Sequence, residues 1–194
     1  MAVNLTKGQK ISLDKGMKMA LIGLGWDTNR YTGRADFDLD ASAFLLGKNG
    51  RVRKDGDFVF YGNLTADNDC VVHTGDSLQG GSGGDDETLF IDFSKVPEDV
   101  EKIAITVTIY EAPERGQNFG QVSNAYVRLA KRVSDSDNVG TEQLRYDLGE
   151  DFSIETAVVV CELYRAGSGW QFNAVGAGYQ GGLYALCKAY GVNV

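Results

Sequence analysis

One histidine, two prolines and three cysteines in 194 residues leave little material for several kinds of chemistry. A zinc site needs Cys and His ligands at short spacings, and one imidazole with three scattered thiols supplies none. A Ser-His-Asp triad would have to use His73, yet no Gly-x-Ser-x-Gly elbow accompanies any serine. His73 itself sits in a short alternating run and reads as a packing residue before a catalytic one. Cys70, Cys161 and Cys187 are odd in number and form no CxxC pair, so they read as small buried hydrophobes, reduced in a cytoplasmic protein. The N-terminal Met1-Ala2-Val3-Asn4-Leu5-Thr6-Lys7-Gly8 lacks the apolar centre of a signal peptide, so none is expected. No apolar run approaches the ~18 residues of a membrane span. Basic residues are outnumbered too, with 19 Lys and Arg against 27 acids and a formal charge of −8. With no basic stripe to offset that charge, direct nucleic-acid binding is not expected.

What the chain does have is glycine, 25 of them, set among many short alternating runs. Candidate strands cover 19–26, 36–46, 57–61, 70–73, 88–93, 103–110, 125–130, 142–148, 156–164 and 170–175. Ile103-Ala104-Ile105-Thr106-Val107-Thr108-Ile109-Tyr110 alternates as a strand with one wet face should. The stretch 156–163 is almost continuously apolar, which suggests a central strand, and Lys48-Asn49-Gly50 and Lys54-Asp55-Gly56-Asp57 mark turns. Only two segments look helical. Residues 97–102 read as one turn entered by Pro97, and 182–190 as a C-terminal helix with Leu183 and Leu186 on one face. The pattern predicts a single domain over 1–194: all-β, an antiparallel β-sandwich with a short C-terminal helix.

Two acidic clusters stand out. Asp36-Phe37-Asp38-Leu39-Asp40 alternates carboxylates with apolar residues, which places the three acids on one face of a strand. Gly75-Asp76-Ser77-Leu78-Gln79-Gly80-Gly81-Ser82-Gly83-Gly84-Asp85-Asp86-Glu87 sets four acids around a glycine loop. Aligned carboxylates repel unless a cation lies between them, and a loop folded over that face would complete an oxygen cage suited to Ca2+. At a rise of ~3.4 Å per residue Asp36 and Asp38 are about 7 Å apart, whereas Asp36 and Asp40 are too far apart to share one ion. Two ions, or one ion and an outlying acid, fit that spacing. An EF-hand is excluded, because its sixth position needs Gly and this chain has Ala41. The plain alternative is a solvated acidic strand face; the two clusters together favour metal.

Other motifs carry less. Gly176-Ala177-Gly178-Tyr179-Gln180-Gly181 matches GxGxxG, but no βαβ unit or later acid accompanies it, so tight backbone geometry before the last helix explains it better. Arg115-Gly116-Gln117-Asn118-Phe119-Gly120-Gln121 could bind a small anion or simply cross between sheets, and the crossing is favoured. Nothing in the sequence places Glu155 and Glu162 together as an acid pair.

With these motifs the chain resembles the TerD family of tellurium-resistance and bacterial stress-response proteins. The resemblance rests on Gly25-Trp26-Asp27, Asp36-Phe37-Asp38-Leu39-Asp40-Ala41-Ser42-Ala43-Phe44-Leu45-Leu46 and Asp57-Phe58-Val59-Phe60-Tyr61. It extends through Gly84-Asp85-Asp86-Glu87, Gln117-Asn118-Phe119-Gly120-Gln121-Val122, Arg145-Tyr146-Asp147-Leu148 and Glu162-Leu163-Tyr164-Arg165. It implies a β-sandwich with calcium, two ions, held by Asp27, Asp36, Asp38, Asp76, Asp85, Asp86 and Glu87; it assigns Asp40 no clear role. The loop after Asp76 has Ser77 where the family carries Asn and lacks a further acid, which implies a weaker peripheral site. Residues 134–140 look like an inserted surface loop. The function expected is a calcium-binding, non-enzymatic, cytoplasmic stress-response protein acting through other stress or tellurium-resistance proteins. The alternative is a metal-dependent binder of phosphate compounds or a phosphohydrolase, which would need a nucleophile or base beside the ions.

Overall fold

The computed structural model describes residues 2–27, 37–75, 84–148 and 152–194. Its regular structure is mainly twelve strands: β1 (Val3–Leu5), β2 (Lys10–Ser12), β3 (Met19–Gly25), β4 (Leu39–Leu46), β5 (Phe58–Val59), β6 (Val71–His73), β7 (Glu87–Asp92), β8 (Lys102–Ile109), β9 (Tyr126–Arg132), β10 (Thr141–Asp147), β11 (Ala157–Ala166) and β12 (Gly169–Tyr179). Two helices accompany them, α1 (Ala112–Arg115) and α2 (Gly182–Tyr190). Sheet one runs β1-β10-β9-β3-β7-β6 and sheet two runs β2-β12-β11-β8-β4-β5. Neighbours are antiparallel except for the parallel pair of β1 and β10. This is the expected β-sandwich with its C-terminal helix. Among the described residues no helix is long and apolar enough to cross a membrane.

Period-two alternation builds the core between the sheets. Ala20, Ile22 and Leu24 of β3 and Leu89 and Ile91 of β7 face Leu39, Ala41, Ala43 and Leu45 of β4 and Ile103, Ile105 and Val107 of β8. β11 lies between β12 and β8 and is buried on both faces, which explains its near-continuous apolar run. Its other face joins a second cluster outside sheet two, where Phe44, Leu46, Ala104, Ala157 and Val159 lie under Leu186 and Cys187 of α2. Full burial of a side chain such as Leu186 is worth roughly 2 kcal/mol.

Several boundaries differ from the sequence reading. The strand expected over 57–61 is only Phe58–Val59, because Asp55–Asp57 is a 3-10 turn and Phe60 pairs locally with Asn63. Residues 97–102 form no helix; Val100 closes a turn on the Pro97 carbonyl and β8 begins at Lys102. The GxGxxG segment is backbone packing, as expected. A Cβ on Gly176 would lie 2.2 Å from the Tyr146 hydroxyl, and Gly181, at φ +96°, precedes α2. The segment 134–140 is tied to sheet one: Arg132 donates to the Asp135 and Asp137 carbonyls, and Arg128 to that of Val139.

Candidate functional site

The acidic residues gather at the end of the sandwich where β3 finishes and β4 begins. Phe37 and Leu39 are buried in the core, as the alternation predicted, while Asp40 shares the opposite face with Ser42. The strand starts at Leu39 rather than Asp36, so Asp38 lies just ahead of the ladder, its carbonyl accepting the Tyr110 N–H. Asp38 and Asp40 are both buried, at 7% and 6% exposure. Arg115 at the end of α1 brings its guanidinium to 3.7 Å from the Asp38 carboxylate and stacks over the Tyr110 ring. Asp36 and Asp76 lie outside the described residues.

Asp85, Asp86 and Glu87 are consecutive, but the ladder of β7 begins only at Glu87, so strand alternation does not govern the first two and each of the three carboxylates takes a different partner. Glu87 opens β7 on its inward face, beside Leu89 and Ile91, and is 2% exposed. Its carboxylate crosses the sandwich and accepts the backbone N–H of Ala41 in β4. Beyond Ala43, the short β5 gives β4 no further partner on that side, so the carboxylate meets a strand edge. Asp86 accepts the Trp26 N–H at 2.9 Å, and its own N–H donates to the Leu24 carbonyl. Asp27 follows directly and accepts a 2.6 Å bond from Asn124. Asp27, Asp38, Asp40, Asp86 and Glu87 are thus brought to one end from three separate stretches of chain.

Asp85 turns the other way, onto the outer face of sheet one. Arg128 of β9 grips it, with Nε 2.8 and 2.9 Å from the two carboxylate oxygens and a terminal nitrogen at 2.6 Å. The Tyr126 hydroxyl adds a bond of 3.1 Å. Burial and the Asp85 charge push the Tyr126 phenol up to about 12. The carboxylate lies on Gly23, where a Cβ would be 2.2 Å away, and the Tyr126 ring lies on Gly25, where it would be 2.4 Å away. Nothing in the sequence announced Arg128 or Tyr126, or why Gly23 and Gly25 are needed, because the pairing spans 43 residues from Asp85 to β9 by way of β3.

His73 is buried beside the cluster. Its Nδ1 accepts the Gly75 N–H at 3.1 Å, which leaves the ring proton on Nε2, 3.6 Å from the Glu87 carboxylate. The three cysteines are buried and outside any disulfide; burial pushes the Cys187 thiol up to about 11. Glu162 bonds Lys102 while Glu155 caps the Ser153 and Ile154 amides, so the two form no acid pair. The 115–121 segment is the crossing, with Gln121 accepting the Asn118 N–H and Phe119 packed on Phe152. Among the described residues no three His, Cys, Asp or Glu side chains converge closely enough to hold a metal. The donors brought to this end are carboxylate oxygens, the type a hard cation takes, and by sequence Asp36 and Asp76 flank them.

The sequence matches the TerD domain over residues 1–190. It is 53% identical to tellurium resistance protein TerD of Serratia marcescens, covering all of this chain and 99% of that one. It is 48% identical to general stress protein 16U of Bacillus subtilis (strain 168), covering both chains in full. The crystal structure of a homologue of telluride resistance protein (TerD) from Streptomyces coelicolor A3(2) has the same fold, with a TM-score of 0.69 at 19% identity over 88% of this chain and 95% of that one. With its acidic end, its two sheets and a family match along nearly its whole length, this chain belongs to the TerD family.

Proposed function

We propose that this protein is a calcium-binding, non-enzymatic stress-response protein of the tellurium-resistance type, acting in the cytoplasm through partner proteins. The observation that carries the reading is the gathering of Asp27, Asp38, Asp40, Asp86 and Glu87 at one end of the sandwich, with Asp38, Asp40 and Glu87 nearly excluded from solvent. Burying like charges together is costly, and a bound cation offsets that cost. The proposed ligands are Asp27, Asp36, Asp38, Asp76, Asp86 and Glu87, holding two ions; carboxylate donors in an irregular setting suit Ca2+ better than Mg2+, which demands a tight octahedron. Metal would order this end and thereby present a surface to a partner, in keeping with relatives named for stress and tellurium resistance. The commitment of the sole histidine to the Gly75 amide supports a non-enzymatic role.

A second reading has one observation in its favour. A cleft of about 950 Å³, lined among others by Phe119, Asn124, Arg145 and Asp147, adjoins Asp27 through Asn124 and could admit a small phosphate compound. Calcium titration by calorimetry, with ion counting by native mass spectrometry, tests the first reading: two ions are expected, and none at millimolar Ca2+ overturns it. A change in calcium affinity on adding phosphate compounds would instead favour the second.

A further inference from the structure

We infer that Asp85 is not a ligand of the calcium end but the anchor that positions it, through a half-buried ion pair with Arg128. The inference rests on the calcium reading for what is positioned and on described geometry alone for the anchor. Three hydrogen bonds from one guanidinium and one from Tyr126 engage both oxygens of the Asp85 carboxylate. The pair is largely enclosed, with side-chain exposures of 14% for Arg128 and 10% for Asp85. Bidentate Arg–carboxylate pairs are among the strongest polar contacts a protein makes, and breaking one partner of an enclosed pair strands the other charge.

The surroundings are shaped for this contact. β3 presents Gly23 and Gly25 at alternate positions on the outer face of sheet one, and both lack the Cβ that would collide with Asp85 or Tyr126. Arg145 lies 3.7 Å above the Tyr126 ring, and its Nε donates to Asp147 at 2.8 Å, which closes the far side. Arg128 also donates to the Val139 carbonyl, so the segment beyond β9 is held by the same guanidinium. Rotating Asp85 toward the calcium end would empty this seat and strip Arg128 of its carboxylate hydrogen bonds, leaving the bond to the Val139 carbonyl. Because Asp85 is fixed outward, the next two residues are fixed as well: Asp86 beside Trp26, and Glu87 inward against Ala41. The pair thereby sets the register in which the chain enters β7 at Glu87, opposite Leu24.

The two roles predict different behaviour for Asp85→Asn, Arg128→Gln and the double variant. The anchor predicts that each single variant lowers the melting midpoint in EDTA by roughly 4–8 °C, and that the double variant is no worse than the poorer single one. It also predicts that Asp85→Asn keeps the wild-type number of calcium ions, and that any loss of affinity is shared by Arg128→Gln. A ligand role predicts one ion fewer, or a tenfold loss, in Asp85→Asn alone. It further predicts tighter binding in Arg128→Gln, since the guanidinium would no longer compete for the carboxylate. The Arg128→Gln measurement decides the question even if Asp85→Asn fails to fold: tighter calcium binding overturns the anchor, and unchanged or weaker binding supports it. Should the wild type bind no calcium, the calcium reading falls, and the thermal cycle alone decides the anchor. Non-additive losses then support it and additive losses overturn it.

Discussion

Among the described residues two arginines meet the acidic clusters, and their distances assign them different work. Arg128 holds Asp85 with bonds of 2.6 to 2.9 Å, whereas Arg115 stands 3.7 Å from Asp38, outside hydrogen-bonding range. The first contact is a fixed structural pair; the second is loose neutralisation that an incoming cation can replace. Arg115→Gln should therefore tighten calcium binding by about 3- to 10-fold, up to about 1.4 kcal/mol, because a like charge is removed from beside a ligand. Titration calorimetry at fixed ionic strength measures this, and weaker binding in the variant would count against Asp38 as a ligand. The sequence could place Asp38 in a strand-like pattern but could not find either arginine's partner, since both pairings depend on which strands neighbour each other. It also grouped Asp85, Asp86 and Glu87 together, without the means to see that Arg128, Trp26 and Ala41 each take a different one of the three.

At the level of elements, the informative place is the start of β4, which the two-residue β5 does not reach and with which no other described strand pairs on that side. Glu87 reaches across from β7 and supplies the acceptor that the missing strand would have offered to the Ala41 N–H. An enclosed amide without an acceptor costs about 1–3 kcal/mol. Glu87→Ala should therefore lose that much stability in EDTA by urea denaturation, in addition to weakening calcium. Glu87→Gln keeps an oxygen for the amide, so it should retain most of the stability while still lowering calcium affinity. Equal destabilisation by both variants would mean that the contact with Ala41 contributes little. The longer elements were legible because each is a sustained apolar or alternating run: β3, β8 and β11 each fall within three residues of the expected limits. β1 and β2 were not legible, since three residues carry no period and their pairing with β10 and β12 is long-range. α1 was hidden because it is one turn long and entered through Glu111 at φ +48°, a left-handed backbone that composition does not announce.

Over the whole molecule, the formal charge of −8 and the concentration of carboxylates at one end make folding stability a function of cation and pH. Several acids elsewhere are fixed by the fold itself. Backbone N–H groups of Gly16, Gly140 and Ser153 hold the carboxyls of Asp14, Asp137 and Glu155 below the usual range. A carboxyl depressed in the folded state contributes stability that is present above its unfolded pKa, near 4, and is lost as pH falls through the lower folded value. That loss occurs with or without metal. The calcium contribution is separate, because protons and Ca2+ compete for the same ligand oxygens. At free Ca2+ about a hundred times the dissociation constant, one site adds about 2.7 kcal/mol, which corresponds to roughly 5–10 °C in a chain of this length. The melting midpoint at pH 7 should therefore rise by at least that much from EDTA to saturating Ca2+, and less in equimolar Mg2+. The gap between the Ca2+ and EDTA curves should close as pH falls through the carboxylate range, while the EDTA curve itself declines from loss of the backbone-held acids. Coincident midpoints in EDTA and Ca2+ at pH 7 would mean that these carboxylates are held together without a metal, and a gap that persists below pH ~3 would place the calcium effect on groups other than acids.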